Sequence, residues 1–328
     1  MALLLSERDL RPILRDNAFM DAAIDAVEAV FKEYAQKLTQ QHPWTNLAWH
    51  GDRGPLRLWF SSSPGAGGVV RVNSMLPGGG SAADTRFMLV FDPVTGALRG
   101  MLPDEEFNYA RTAAPAGVGA RHLAPLGAAV LGIIGAGKQA PMQIAAIVRA
   151  VPSIKQVRVY SPTPANRERV AAAARDRLKI AVEPVESAQQ AARDADIVDL
   201  ATNSRTAVIE GGWIRQGALV IAISGNQFPR DFIASSRVFV GSREDLLHGA
   251  FRREPFLSMI DESSWSIDRA IGDLGEVALG QVPARARPED TVLLDIPGMA
   301  VWDLAVARAV CDWADAHNIG TRFHLSGA

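Results

Sequence analysis

Cysteine is almost missing: Cys311 is the only one in 328 residues. A single thiol excludes an intrachain disulfide and a thiolate metal cluster, and it fits a reducing cytoplasm, where we expect the chain; Cys311 itself reads as a helix-packing residue. Surplus charge is missing as well. The 34 basic and 36 acidic residues leave a formal charge of -2, too little of either sign to drive binding to nucleic acid or to an anionic membrane. No apolar run approaches the ~20 residues of a membrane span, and Met1-Ala2-Leu3-Leu4-Leu5-Ser6-Glu7-Arg8-Asp9 becomes charged too early for a secretory signal. His42, His50, His122, His248, His317 and His324 show no metal-ligand spacing, so no metal site is expected. Small-molecule partners remain.

What is present centres on Val130-Leu131-Gly132-Ile133-Ile134-Gly135-Ala136-Gly137-Lys138-Gln139-Ala140, a short apolar strand that passes through a glycine turn into a helix. That is how a dinucleotide phosphate is held. Gly135 permits the turn, Gly137 lets the backbone approach a pyrophosphate, and Ala140 lets the helix pack on the strand, while the first free N–H groups of the helix face the anion. A second strand, Val157-Arg158-Val159-Tyr160, follows at the interval a βαβ unit needs. The bland alternative is that the glycines only shape a turn.

The length favours two domains. Ser6 reads as a helix cap, and residues 18–37 carry apolar side chains at helical spacing. From Pro43 to Leu102 short β-rich runs, among them 56–60, 69–72 and 87–91, predict an antiparallel sheet, with Asp92-Pro93-Val94-Thr95-Gly96 turning into a last hairpin. An alanine-rich helix is expected over 108–123. From Gly127 strands alternate with helices, at 130–134, 157–160, 180–183, 197–200, 219–223, 237–240 and 291–294, which predicts a parallel sheet with helices on both faces. A final helix, 301–317, would carry the chain back to the first domain. The fold class is therefore α/β: a Rossmann-type parallel sheet domain over 126–298, plus an α+β substrate and dimerisation domain over 1–125 completed by 299–328. The segments Arg243-Glu244-Asp245 and Arg252-Arg253-Glu254 read as solvated helix faces, and Ser61-Ser62-Ser63 as loop.

The order of motifs resembles the ornithine cyclodeaminase/mu-crystallin family over nearly the whole chain. The likeness is carried by Tyr109-Ala110-Arg111-Thr112-Ala113-Ala114, the loop from Gly135 to Ala140, Ala201-Thr202-Asn203-Ser204-Arg205, the strand Gly217 to Gly225, Gly272-Asp273-Leu274-Gly275-Glu276-Val277, and Gly298-Met299-Ala300-Val301-Trp302-Asp303-Leu304-Ala305. The resemblance implies a homodimer whose N-terminal domain supplies the dimer sheet and a substrate pocket facing the Rossmann domain. It also implies hydride transfer between a nicotinamide and the carbon of an imine or amino acid. Thr112, Gly135, Ala136, Gly137, Lys138, Gln139, Ala201, Thr202, Asn203 and Ser224 are the expected cofactor contacts. Ser161, Thr163 and Arg167, with no acid after the second strand, lean toward the 2′-phosphate of NADP, NAD staying possible; alternatively Ser161 and Thr163 only cap the next helix.

The departures lie in the pocket. Arg71 stands where most of the family has a lysine, and a guanidinium is a poor proton carrier. Asn226 falls where the family has an aspartate, and Trp44, in His42-Pro43-Trp44-Thr45, where the family has a carboxylate-binding arginine. Arg71, Arg111 and Asn226 are the catalytic candidates, and Trp44, Arg57, Arg71, Arg111, Asn226 and Gly298 the candidate pocket. Arg111 is the expected carboxylate clamp; the alternative is a structural ion pair with Asp104 or Glu105. Trp44, Trp49 and Trp59, with Arg57, Arg71 and Met75, either wall a pocket for a bulky substrate or fill core. These changes favour an NAD(P)H-dependent imine reductase or amino-acid dehydrogenase that takes an imine, keto acid or amino acid. An ornithine cyclodeaminase-type lyase and a mu-crystallin-like NADP-dependent binding protein with little turnover are the alternatives.

Overall fold

Ser6 opens the first helix with a reciprocal cap: its hydroxyl accepts from the Asp9 N–H while the Asp9 carboxylate accepts from the Ser6 N–H. In the computed structural model, which describes residues 1–48, 55–74, 85–249, 253–296 and 298–325, this helix, α1 (Glu7–Arg15), follows β1 (Ala2–Leu4) and precedes α2 (Asn17–Ala35). Asp16 caps α2, accepting from the N–H groups of Ala18 and Phe19. The chain divides into two units, Met1–Arg111 with Met299–Ala328, and Thr112–Gly298.

In the first unit β2 (Gln40–Ala48), β3 (Pro55–Ser63), β4 (Gly67–Ser74), β5 (Thr85–Phe91) and β6 (Leu98–Pro103) pair antiparallel in sequence order. The expected hairpin at 92–97 is present, its turn held by Asp92 Oδ1, which accepts from the N–H groups of Val94 and Thr95. Two short strands escape sequence reading: β1 pairs parallel with β6, and β15 (Thr321–Phe323) antiparallel with β1. The final helix, α11 (Ala300–Ala316), does return to this unit, where Trp302 meets Phe31 and Trp313 meets Phe19 edge-on. Ser61-Ser62-Ser63 is not loop but the end of β3. Ser61 and Ser63 point inward, the first donating to the carbonyl of Ala300 at 2.9 Å and the second to Glu33, so both buried hydroxyls are satisfied.

The second unit continues α3 (Phe107–Leu123) into an all-parallel sheet of β7 (Val130–Ile134), β8 (Gln156–Tyr160), β9 (Ala181–Val185), β10 (Ile197–Leu200), β11 (Leu219–Ala222), β12 (Arg237–Val240), β13 (Gly272–Asp273) and β14 (Val292–Asp295). The order is β13-β12-β14-β11-β10-β7-β8-β9. It reverses direction between β7 and β10, which is the switch point of a doubly wound sheet and the place where such folds bind ligands. Between the strands run α4 (Ala140–Ala150), α5 (Pro164–Leu178), α6 (Ala188–Ala192), α7 (Arg230–Ser235), α8 (Arg243–His248), α9 (Phe256–Asp261) and α10 (Leu274–Ala278). Gly119 of α3 lets this helix pack closely, since a Cβ there would lie 2.1 Å from Leu294 Cδ2.

The solvated-face expectation holds for Glu244, which is exposed, and fails for Arg253. Arg243 binds Asp273 and Glu276, and Arg253 is 3 % exposed and bidentate to Asp295, which supplies the counter-charge that burial of a guanidinium requires. Arg252 lies outside the described residues. No helix among the described residues is long and apolar enough to cross a membrane. Cys311 is buried in α11, where burial pushes its thiol up to about 12, so it is not a thiolate near neutral pH.

Asp199 breaks the apolar run of β10. It is fully buried, neither oxygen has a hydrogen-bond partner among the described residues, and burial pushes its carboxyl up to about 8. The native state therefore holds a proton that the unfolded chain releases near the ordinary value of 3.8. Stability from this group is full below that value and declines as pH rises toward about 8. Asp199→Asn removes the titration. Its denaturant midpoint relative to the parent should rise with pH, by about 2–3 kcal/mol between pH 6 and 8, and urea unfolding at the two pH values checks this.

Candidate functional site

At the end of β7 the chain must turn sharply, and Gly135 does so at φ +117°, where a Cβ would lie 2.2 Å from the carbonyl oxygen of Ala201. The loops after β7 and β10 thus meet at the switch point. Gly137 is exposed, and a Cβ there would meet nothing within 4 Å, so its hydrogen is not required by the protein's own packing. The next helix, α4, has Gln139 at its cap with no side-chain cap bond, and Ala140 is fully buried beneath it. A glycine turn, open space over Gly137 and an uncapped helix start together fit a pyrophosphate, whose oxygens would take the N–H groups that no side chain satisfies.

The other cofactor candidates fall around this loop or apart from it in identifiable ways. Thr112 offers its carbonyl to Gln143 Nε2 at 3.2 Å, tying α3 to α4. Ala136 is buried and its carbonyl accepts from Arg169 Nη2 at 3.3 Å, while Lys138 is exposed. Arg169, two residues beyond Arg167 on α5, was not singled out from the sequence, since its link to the loop spans 33 residues. Ser161 is buried, its hydroxyl accepting from the Thr163 N–H, and Arg167 donates to the Ser161 carbonyl at 3.1 Å. Thr163 is exposed at the start of α5 and makes no side-chain cap bond. Ala201 is buried, Asn203 exposed, Ser224 half-buried, and the Thr202 carbonyl accepts from Gln227. Asn226 takes a left-handed φ of +61° and donates its N–H to the Glu254 carbonyl; Gly298 is half-buried.

In the first unit the alternation of β4 turns Arg71 inward between Val69 and Asn73. Its guanidinium lies 4.5 Å over the ring of Trp59, its direct partner on β3. Arg71 Nε and Nη2 donate to Asp104 Oδ2 at 3.1 and 2.7 Å, Nη1 to Asp303 Oδ2 at 3.0 Å, and Nη2 also to Asn108 Oδ1 at 3.2 Å. Arg111 shares that carboxamide oxygen, donating from Nε at 3.0 Å and from Nη2 at 2.6 Å, and its Nε stands 3.4 Å from Asp303 Oδ1. Burial alone would lower Arg71, but Asp303 and Asp104 outweigh it and hold this guanidinium above its ordinary value. Arg111 goes the other way: burial lowers it, and Asp303 only partly compensates. Burial likewise pushes Asp104 up, against Arg71.

Arg71 and Arg111 are therefore brought together, by Asn108, Asp104 and Asp303, none of them singled out as site residues. Arg57 is half-buried on β3. The Trp44 side chain, Trp49 and Met75 lie outside the described residues; Trp59 is core.

Comparison with known proteins agrees with this architecture. The pattern of the Ornithine cyclodeaminase/mu-crystallin family matches residues 11–318. The chain belongs to this family. It is 26% identical over 328 residues to an alanine dehydrogenase of Archaeoglobus fulgidus, covering 98% of this chain and 97% of that one. It is 29% identical over 230 residues to the ketimine reductase mu-crystallin of Rattus norvegicus, covering 69% and 68%. The structure of Thermococcus litoralis Delta(1)-pyrroline-2-carboxylate reductase in complex with NADH and L-proline superposes with a TM-score of 0.85 at 26% identity, over 98% of this chain and 100% of that one.

The glycine loop from Gly135 to Ala140 lies within the matched region. Gly137→Asp tests the loop. The new side chain meets no protein atom, so the fold should persist, while its charge occupies the pyrophosphate's place. NADPH affinity by calorimetry is expected to fall at least about tenfold with the thermal midpoint unchanged.

Proposed function

We propose that this chain is an NAD(P)H-dependent oxidoreductase that reduces a preformed imino acid to the amino acid, rather than cyclising ornithine. Its family and its relatives support chemistry at a C–N bond, and the unit Thr112–Gly298 fits the nucleotide through Gly135, Gly137 and the start of α4. The unit Met1–Arg111 with Met299–Ala328 then holds the acid group of the substrate. The observation that carries the choice of substrate is the division of labour between the arginines: Arg71 is spent on two buried carboxylates, whereas Arg111 keeps 11 % of its side chain exposed and no described residue takes its Nη1.

Reduced nicotinamide, when bound, supplies the hydride. An iminium already carries its proton, so addition of hydride at carbon completes the amine and asks of the protein only orientation. Arg111 supplies it by holding the carboxylate through Nη1 and the free N–H of Nη2. Ornithine brings two ammonium groups and a carboxylate, and Asn226, a carboxamide, cannot compensate an ammonium. Buried Arg71, held ionised by two carboxylates, cannot exchange protons with it. Ser161 and Arg167 favour the 2′-phosphate of NADPH. The homodimer belongs to the same reading, with exposed Phe60 on β3 and Leu47 on β2 giving a second copy an apolar surface to cover.

Following reduced-nicotinamide absorbance with Delta(1)-pyrroline-2-carboxylate and, separately, proline formation from ornithine, tests the proposal. Imine reduction without ornithine turnover is expected. Efficient conversion of ornithine to proline overturns it, and tight nucleotide binding with no turnover of any imine or keto acid with amine indicates a binding protein instead.

A further inference from the structure

The buried quartet in the first unit balances formally: two guanidinium groups, Arg71 and Arg111, against two carboxylates, Asp104 and Asp303. The balance is not evenly shared. Both carboxylates place a hydrogen-bonding oxygen on Arg71, and Asp303 Oδ1, the atom nearest to Arg111, has no hydrogen-bond partner among the described residues and stands 3.4 Å away. Among the described residues the hydrogen bonds of Arg111 go to the carboxamide oxygen of Asn108, at 3.0 and 2.6 Å, and that oxygen also receives Arg71 Nη2 at 3.2 Å. A neutral acceptor takes the hydrogen bonds of Arg111, and Asp303, shared with Arg71, compensates its charge only through that 3.4 Å contact.

We propose that Asn108 is the positioning residue that sets the specificity of this site for anionic substrates, by holding the Arg111 guanidinium in place without neutralising it. The inference rests on the reading of Arg111 as the carboxylate clamp. Asn108 lies one turn before Arg111 on α3, so its side chain reaches Nε and Nη2 from the same helix face and takes no bond from Nη1. Two guanidinium groups bridged by one oxygen would repel each other without it. The amide dipole thus does two things: it screens Arg111 from Arg71, and it leaves a positive charge, sheltered from water, that an incoming carboxylate completes. An aspartate at the same position would supply the anion from within and make the ligand's charge redundant or repulsive.

The consequence is a selectivity rule: ligands with a carboxylate are preferred over the same skeleton with a carboxamide, and residue 108 controls the preference. Pyrrole-2-carboxylate and pyrrole-2-carboxamide are suitable probes, since both are flat, neither is reducible, and they differ by one charge. Calorimetry on the full chain with nucleotide present should give about thirtyfold tighter binding of the carboxylate to the parent. Asn108→Asp should bring the ratio below about threefold, raising KM for Delta(1)-pyrroline-2-carboxylate more than it lowers kcat. Asn108→Leu, which removes the acceptor but adds no charge, should weaken both ligands while keeping the ratio, and it carries the test if the aspartate variant does not fold. A ratio that survives in Asn108→Asp, or that collapses equally in Asn108→Leu, overturns this inference alone, provided Arg111→Ala abolishes the preference. If the parent shows no preference and Arg111→Ala changes nothing, the clamp reading itself falls, and this inference with it.

Discussion

Arg111→Ala is expected to lower kcat/KM for an imino acid by roughly 2–4 kcal/mol, about 30- to 900-fold, because one charged, largely desolvated hydrogen-bonding partner of the substrate carboxylate disappears. The loss should fall mainly on KM, since the clamp holds substrate and transition state through the same acid group. Nucleotide affinity, measured by calorimetry in the absence of imine, should stay near that of the parent: no described bond of Arg111 reaches the glycine loop. The fold should also survive, because Asp303 keeps Arg71 as partner and Asn108 keeps Arg71 Nη2. Unchanged imine reduction in this variant would mean that Arg111 is structural after all.

Arg71→Met should act in the opposite way, on stability before activity. The side chain is 3 % exposed and carries the hydrogen bonds of both Asp104 and Asp303. Methionine matches much of its volume, yet it leaves two carboxylates in a site that water does not reach. Breaking a buried ion pair from one side costs about 3–5 kcal/mol, and here one cation serves two anions. Urea unfolding should show a loss in this range. Arg71→Lys keeps the charge but not the fork that reaches Asp104, Asp303 and Asn108 together, so it should cost less than Arg71→Met and still destabilise. A stability equal to the parent's in Arg71→Met would show that the aspartates are neutral in the folded chain.

The longer helices and seven of the parallel strands of the second unit were readable from the chain because each is decided by neighbours a few residues apart: the spacing of apolar residues in α2, the continuous apolar runs of β7 and β11, the Ser6 cap, the glycine turn at 135. The short strands β1, β13 and β15 were not, since two or three residues carry no periodicity and owe their pairing to distant partners. Ser61-Ser62-Ser63 misled for a related reason. Serine has little strand preference of its own, and its hydroxyls are satisfied by Ala300 and Glu33, groups that only folding brings near.

The candidate site divides along the same line. The turn at Gly135 could be read from the sequence because a positive φ is a local demand that a residue without a Cβ meets. The roles of Arg71 and Arg111 could not, as both are arginines in plausible surroundings. What separates them is that Asp104, 33 residues away from Arg71, and Asp303, 232 residues away, arrive on the first, while only Asn108 arrives fully on the second. Buried Arg253 with Asp295 follows the same logic. The sequence by itself determined the order of the longer elements, the doubly wound sheet and the glycine turn after β7, for these follow from local preference and hydrophobic pattern. Only the tertiary structure decided which charges are cancelled and which remain available, because compensation of a buried ion depends on distance in space, and the chain order does not encode that distance.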